Sequence, residues 1–222
     1  MIDQSPTRVA FLHTGAVVIP TTAALAARLL PGVEVLNVLD DRIVGDLGAG
    51  GDRAASVPER LVHLASDAKA AGAGVVMLTC SSISGLADDV SEAAGIPVLR
   101  IDEAMADAAV AAGRRISVIA TLPTTLTPTV RLILERARLA DAAPELSEVL
   151  VTDAFAAAVA GDRELHDSLV GAAITAAAPH ADVIVLAQAS MAGAAAAVAV
   201  DVPVLTSPEL GVARLAGYLE RR

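Results

Sequence analysis

The sequence predicts an α/β protein of two pseudo-symmetric lobes, each a parallel sheet flanked by helices. Three observations lead there. Short β-branched apolar runs alternate with Ala-rich segments of helical composition along the 222 residues. Those runs are continuous rather than alternating in polarity, the pattern of strands buried on both faces, as in a parallel sheet covered by helices. Parts of the first half also recur in the second at a nearly constant offset.

The strands are expected, in order, at residues 9–12, 33–38, 75–78 and 97–99, then at 116–119, 149–151, 183–186 and 202–205. Each is a short Val/Ile/Leu-rich run bounded by turn residues or charges. The glycine-rich stretch 45–51 lacks the Lys-Ser/Thr pair of a phosphate loop and does not directly follow a strand, so a flexible lid is expected there. A helix is expected from about Ala104, with Asp102 and Glu103 capping it. The repeat aligns Arg8-Val9-Ala10-Phe11-Leu12-His13-Thr14 with Arg115-Ile116-Ser117-Val118-Ile119-Ala120-Thr121, an offset of 107. Gly74 to Cys80 aligns with Asp182 to Gln188 at 108, and Ile96-Pro97-Val98-Leu99 with Val202-Pro203-Val204-Leu205 at 106. Two Rossmann-like lobes follow, one of residues 1–102 plus 207–222 and one of 103–206. Their equivalent strand ends are expected to face one inter-lobe cleft, where open α/β sheets bind ligands.

Composition narrows the function. A net charge of -10 argues against nucleic acid and against anionic membrane surfaces, both of which need basic patches. With Phe 2, Tyr 1 and Trp 0 there is no platform for stacking bases. Lys69 is the chain's one lysine and sits in a polar helical stretch, which disfavours Schiff-base chemistry. The longest apolar run is too short and too Ala-rich to span a bilayer, and no signal-peptide pattern opens the chain. One cysteine cannot form an internal disulfide, so a reducing, cytoplasmic setting is expected.

The chemistry-bearing residues collect where strands end. The first strand runs into His13-Thr14-Gly15, and its repeat into Thr121-Leu122-Pro123-Thr124-Thr125. The third runs into Cys80-Ser81-Ser82, and its repeat into Gln188-Ala189-Ser190. Strand-to-helix turns present free N–H groups at the positive end of a helix, which suits an anion. A small carboxylate could therefore be held there without any arginine. Thr14, Ser81, Ser82, Thr121, Thr124, Thr125, Ala189 and Ser190 are the candidates to bind it. The same field favours the thiolate of Cys80, the form that acts as base or nucleophile. With no His, Cys or carboxylate cluster at ligand spacing, no metal site is expected.

Leu78-Thr79-Cys80-Ser81-Ser82 resembles the first cysteine motif of the aspartate/glutamate/hydantoin racemase superfamily. The segment Val183 to Ala189 resembles the region of its second, and Ala120-Thr121 with Thr124-Thr125 its Thr-rich turn. The resemblance spans essentially the whole chain. It implies a cofactor-independent enzyme in which two thiols flank a carbon acid, one removing a proton and the other returning it. Here Gln188 stands in place of the second cysteine, so a symmetrical two-thiol mechanism is excluded. What remains is a racemase or isomerase-type reaction in which Cys80 moves a proton beside a carboxylate or carbonyl and Gln188 donates a hydrogen bond. His13, at a position where glutamate racemases carry an acidic residue, is expected to orient or deprotonate Cys80. One-cysteine arylmalonate-type decarboxylases supply the alternative of decarboxylation with a single thiol as proton donor. A non-catalytic small-acid binding protein is the third reading. Homodimers are common in the superfamily, and the sequence leaves the oligomeric state open.

Plainer readings stand beside these. Unpaired cysteines are often core, and Ser or Thr at such turns often only cap helices. His63 reads as surface, His166 as a solvated helix face and His180 as loop. Asp40 and Asp41 are candidate acids of low rank, because surface carboxylates are common.

Overall fold

The computed structural model describes residues 7–221. The first series of elements is β1 (Arg8–His13), α1 (Ile19–Leu29), β2 (Glu34–Leu39), α2 (Ile43–Ala49), α3 (Gly51–Ala55), α4 (Val57–Ala70), β3 (Val75–Leu78), α5 (Ser81–Ser84), α6 (Ala87–Ala94) and β4 (Val98–Arg100). The second is α7 (Glu103–Ala112), β5 (Arg115–Ala120), α8 (Pro123–Leu139), β6 (Glu145–Leu150), α9 (Thr152–Val159), α10 (Arg163–Ala177), β7 (Val183–Leu186), α11 (Ala192–Ala197), β8 (Val204–Thr206) and α12 (Ser207–Glu220). One compact unit contains the chain up to Ile101 together with Gly211 onward, and the other contains Asp102–Leu210.

Each unit holds one four-stranded, all-parallel sheet, and the two have the same connectivity. The orders are β2-β1-β3-β4 and β6-β5-β7-β8. The predicted α/β class and the repeat are therefore both realised in the topology.

Strand alternation distributes each core over two layers. In the first unit Val9, Phe11, Val75 and Met77 pack with Ala26 of α1, Leu30 just after it, and Val212 and Leu215 of α12. Ala10, Leu12, Val76 and Leu78 point the other way, onto Leu61 and Ala65 of α4 and Val90 of α6. In the second unit Ile116, Val118, Val183 and Val185 pack on α7 and α8, and Ile119, Ile184 and Leu186 on α9 and α10. Fully burying each such side chain contributes about 1.5–3 kcal/mol. Helix α12 lies so close to the chain after β4 that a Cβ on Gly211 would stand 2.3 Å from the Ile101 carbonyl oxygen, which explains the glycine.

Three expectations need correction. The sixth strand lies at Glu145–Leu150, earlier than the run 149–151, because β6 is an edge strand with mixed polarity. Residues 45–51 form no flexible lid. They belong to α2 and α3, joined at Gly50 and Gly51, which both take positive φ. Ile43 and Asp46 of α2 are buried, and Arg60 of α4 grips Asp46 at 2.6 Å while also pairing with Asp40. Asp102 precedes α7 as expected, but its side chain makes no capping hydrogen bond to the helix.

Candidate active site

Parallel pairing brings the C-terminal ends of β1 and β3 to one edge of the first sheet. Past β3, the Thr79 N–H donates to the Leu12 carbonyl at 3.0 Å, which carries the chain in register to Cys80. Cys80 is extended (φ -130, ψ 123) and opens the single turn α5, whose first bond runs from the Ile83 N–H to the Cys80 carbonyl at 3.2 Å. The thiol is half-buried and packs against the layer formed with α4 and α6. Thr14 and Ser81 are buried at the same sheet edge, and Ser82 is half-buried.

His13 is fully buried. Its Nδ1 lies 2.8 Å from the Thr79 hydroxyl and its Nε2 lies 2.9 Å from Asn37 Oδ1. Burial lowers its pKa below the usual histidine value, and the bond to Asn37 partly opposes that. Both ring nitrogens are therefore engaged, and the one nearer the turn meets the residue before the thiol.

The second unit repeats this turn with different side chains. The Ala187 N–H donates to the Ile119 carbonyl at 2.9 Å, and Gln188 is extended (φ -125, ψ 135). The Met191 N–H then returns to the Gln188 carbonyl at 3.1 Å. Cys80 and Gln188 thus occupy the same backbone position in the two units. Gln188 Oε1 accepts the Thr121 N–H at 2.6 Å and the Thr121 hydroxyl at 3.0 Å. A backbone N–H can only donate, so the amide orientation is fixed and Nε2 is the end left to donate. Thr121 and Thr125 are buried, and Thr124 is half-buried in the first turn of α8, which has Pro123 at its start. The first bond after Gln188 is made by Met191, so the half-buried Ala189 and Ser190 keep their N–H groups outside the turn's own bonds.

The sequence-predicted residues fall into two sets. His13, Thr14, Cys80, Ser81 and Ser82 share one sheet edge, and Thr121, Thr124, Thr125, Gln188, Ala189 and Ser190 share the other. The helices behind the two turns differ from expectation, since α5 has 4 residues and Ala189–Met191 is a 3-10 turn. Any anion preference there comes from individual N–H groups and hydroxyls rather than from a long helix dipole.

Sequence reasoning missed Asn37, Thr79 and Arg163. The Arg163 guanidinium reaches the Ser190 carbonyl at 2.6 Å and pairs with Asp167 at 3.3 Å. His166, expected on a solvated face, is buried with Nδ1 2.7 Å from Asp167 Oδ1. The polar run 162–167 hid this, because its spacing gives no sign of which face turns inward. Asp40 is paired with Arg60, so its carboxylate is committed to holding α4. Among the described residues no group of three or more His, Cys, Asp or Glu could hold a metal ion, and no helix is long and apolar enough to cross a membrane.

No curated protein matches the chain. Solved structures do, at low identity. Glutamate racemase from Aquifex pyrophilus is 16% identical with a TM-score of 0.70, over 96% of this chain and 84% of that one. Allantoin racemase from Klebsiella pneumoniae is 20% identical with a TM-score of 0.65, over 97% and 88%. Arylmalonate decarboxylase is 22% identical with a TM-score of 0.56, over 95% and 92%. These likenesses establish a shared fold. The family model for Asp/Glu/Hydantoin racemase matches residues 13–215, nearly the whole chain. With the repeated strand order and the cysteine turn that the sequence pointed to, this protein belongs to the Asp/Glu/Hydantoin racemase family.

Proposed function

We propose that the protein is a cofactor-independent isomerase that moves a proton at the carbon next to a carboxylate or carbonyl of a small acid, with Cys80 as the proton-transferring group. The observation that carries this reading is the matched turn. Cys80 and Gln188 share one backbone position, and Thr121 holds the Gln188 carboxamide so that Nε2 is free to donate. In the proposed reaction the Cys80 thiolate takes the proton from carbon, and the electron pair moves onto the neighbouring oxygen to give an enediolate. The Gln188 Nε2–H donates to that oxygen, where charge develops. Hydroxyls and N–H groups of Thr14, Ser81, Ser82, Thr121, Thr124, Thr125, Ala189 and Ser190 hold the acid. His13 assists from behind the thiol through Thr79 rather than as the base. The resulting Cys80 thiol delivers its proton to the adjacent carbon to complete the isomerisation; return to the same carbon only exchanges its hydrogen.

A second reading follows from the lone thiol. If loss of carbon dioxide creates the enediolate, one proton donor completes the reaction, and Cys80 suffices. In deuterium oxide, with a panel of small carboxylates and ketones followed by NMR, the isomerase should place deuterium in unreacted substrate. Cys80→Ala should slow this by at least about 100-fold, the low end of what one acid–base group contributes. Carbon dioxide release from malonates without such exchange would replace the first reading by the second. Exchange that persists in Cys80→Ala would refute both.

A further inference from the structure

The hydrogen-bonded series Asn37–His13–Thr79 is present in one repeat and missing from the other. The repeat carries His13 to Ala120 and Thr79 to Ala187, and the strand registers carry Asn37 to Glu148. Ala120 and Ala187 lie fully buried in the apolar layer with Val118 and Val185. The fold therefore has no need of polar side chains at these places. Burying polar groups is costly wherever their bonds to water are imperfectly replaced, so retaining them needs a reason. The unit that retains them carries the thiol, and the series ends on the residue before Cys80.

Strand alternation separates the imidazole from the sulfur. His13 and Thr79 continue the face of Phe11 and Met77, whereas Cys80 continues the face of Leu78, where it packs. The imidazole thus sits behind the thiol's own backbone. Its bonding pattern selects one neutral tautomer. The Thr79 hydroxyl lies within bonding distance of both the Leu12 carbonyl, at 3.0 Å, and His13 Nδ1, at 2.8 Å; because Asn37 Oδ1 can only accept from Nε2, the neutral ring leaves Nδ1 as an acceptor and the one hydroxyl proton goes to it. Nε2 then carries the hydrogen and donates to Asn37 Oδ1. The hydrogen-bond partners of the two ring nitrogens, Thr79 and Asn37, are uncharged. Burial and the Asn37 bond are what act on the His13 pKa, and Asp40, whose N–H bonds the His13 carbonyl at 3.1 Å, gives its carboxylate to Arg60.

We propose that Asn37 and Thr79 are positioning residues for Cys80: Asn37 fixes the Nε2–H tautomer of His13, and His13 in turn holds the Thr79 hydroxyl and the peptide leading into the cysteine turn. This rests on Cys80 being the reacting group. Losing either partner leaves the Thr79 peptide held by its N–H bond to the Leu12 carbonyl without the support of the imidazole, so the placement of the sulfur and of the N–H groups that follow it loosens.

Two measurements on the intact protein test this without a known substrate. First, 15N NMR of labelled histidine should show His13 as the neutral Nε2–H tautomer at pH 7. A predominant Nδ1–H tautomer would overturn the proposal. Second, iodoacetamide reports on Cys80 alone, because the chain has one cysteine. Its rate should be followed from pH 5 to 9 in wild type, Asn37→Ala, Thr79→Val and Thr79→Ser. The first two variants should slow alkylation at pH 7 by roughly tenfold and move the inflection of the profile, and Thr79→Ser should restore it. Profiles for both loss variants that superimpose on wild type would refute the proposal, as would a failure of Thr79→Ser to restore. Asn37 is solvent-exposed, so Asn37→Ala decides the matter should Thr79→Val not fold. Turnover does not enter either measurement, so the failure of this inference and the failure of the proposed reaction are separately visible.

Discussion

At His13, burial and hydrogen bonding act against each other: burial lowers the pKa and the Asn37 bond raises it, with burial the larger. The folded chain therefore refuses a proton that the unfolded chain accepts near its ordinary value of 6.5. Stability is then complete above about pH 6.5 and falls as the pH drops below it, since the unfolded state binds more protons there. Urea unfolding at pH 7.5 and 5.5 should show this fall in wild type, and His13→Gln should flatten it. An equal pH slope in both proteins would contradict the assignment. The same residue marks how far the sequence could be read. Its type and its strand end identified it, but its partners could not be foreseen, because Asn37 belongs to a strand 24 residues away and Thr79 to one 66 residues away. Cys80 and Gln188 were legible for the opposite reason, since the repeat aligns them without any knowledge of contacts.

Elements buried on both faces were the easiest to read, and edges the hardest. Strands β1, β3, β5 and β7 are central and nearly all buried, so their sequences are unbroken apolar runs. Strand β6 carries Glu145, Ser147 and Glu148 at an open edge, and its pattern misplaced it. Its start is marked by the Glu145 N–H donating to the Arg114 carbonyl at 2.7 Å, at the N-terminal edge of the second sheet. There Asp182 accepts the N–H groups of Arg114 and Arg115 at 2.9 and 2.8 Å and the Arg115 guanidinium at 2.6 and 3.0 Å. These donors hold the Asp182 carboxyl down to about 2, well below the ordinary carboxylate. A depressed carboxyl stabilises the fold above its unfolded value near 3.8, and that contribution is lost as pH falls through about 2. Asp182→Asn should lower the unfolding temperature at pH 7, with the gap to wild type closing as the pH approaches 2. A gap independent of pH would show that the side chain acts by shape instead.

For the molecule as a whole, the repeated strand order supplies an internal control that a single lobe would lack. Two units with one strand order put a thiol and a carboxamide at the same turn, and they surround these with different neighbours: His13 and Thr79 behind the thiol, Ala120 and Ala187 behind the amide. The shared strand order was readable while the reaction was not. The scaffold is recorded in periodicity that both halves share, and the chemistry in the strand-end side chains, where they differ. Removing one such difference tests this directly. A proton acceptor on one face of a carbon returns the proton to that face, so inversion needs a second group. Gln188→Cys supplies a thiol at the equivalent turn, with the Thr121 N–H that met Gln188 Oε1 beside it. For a chiral acid that wild type labels in one enantiomer in deuterium oxide, the variant should also produce the labelled mirror image, resolved by chiral chromatography. The new thiol lacks the polar series behind it, so Gln188→Cys should interconvert the enantiomers slowly and gain when Ala120→His and Ala187→Thr are added. If the variant exchanges deuterium as wild type does and forms no second enantiomer, the matched turns do not serve one substrate.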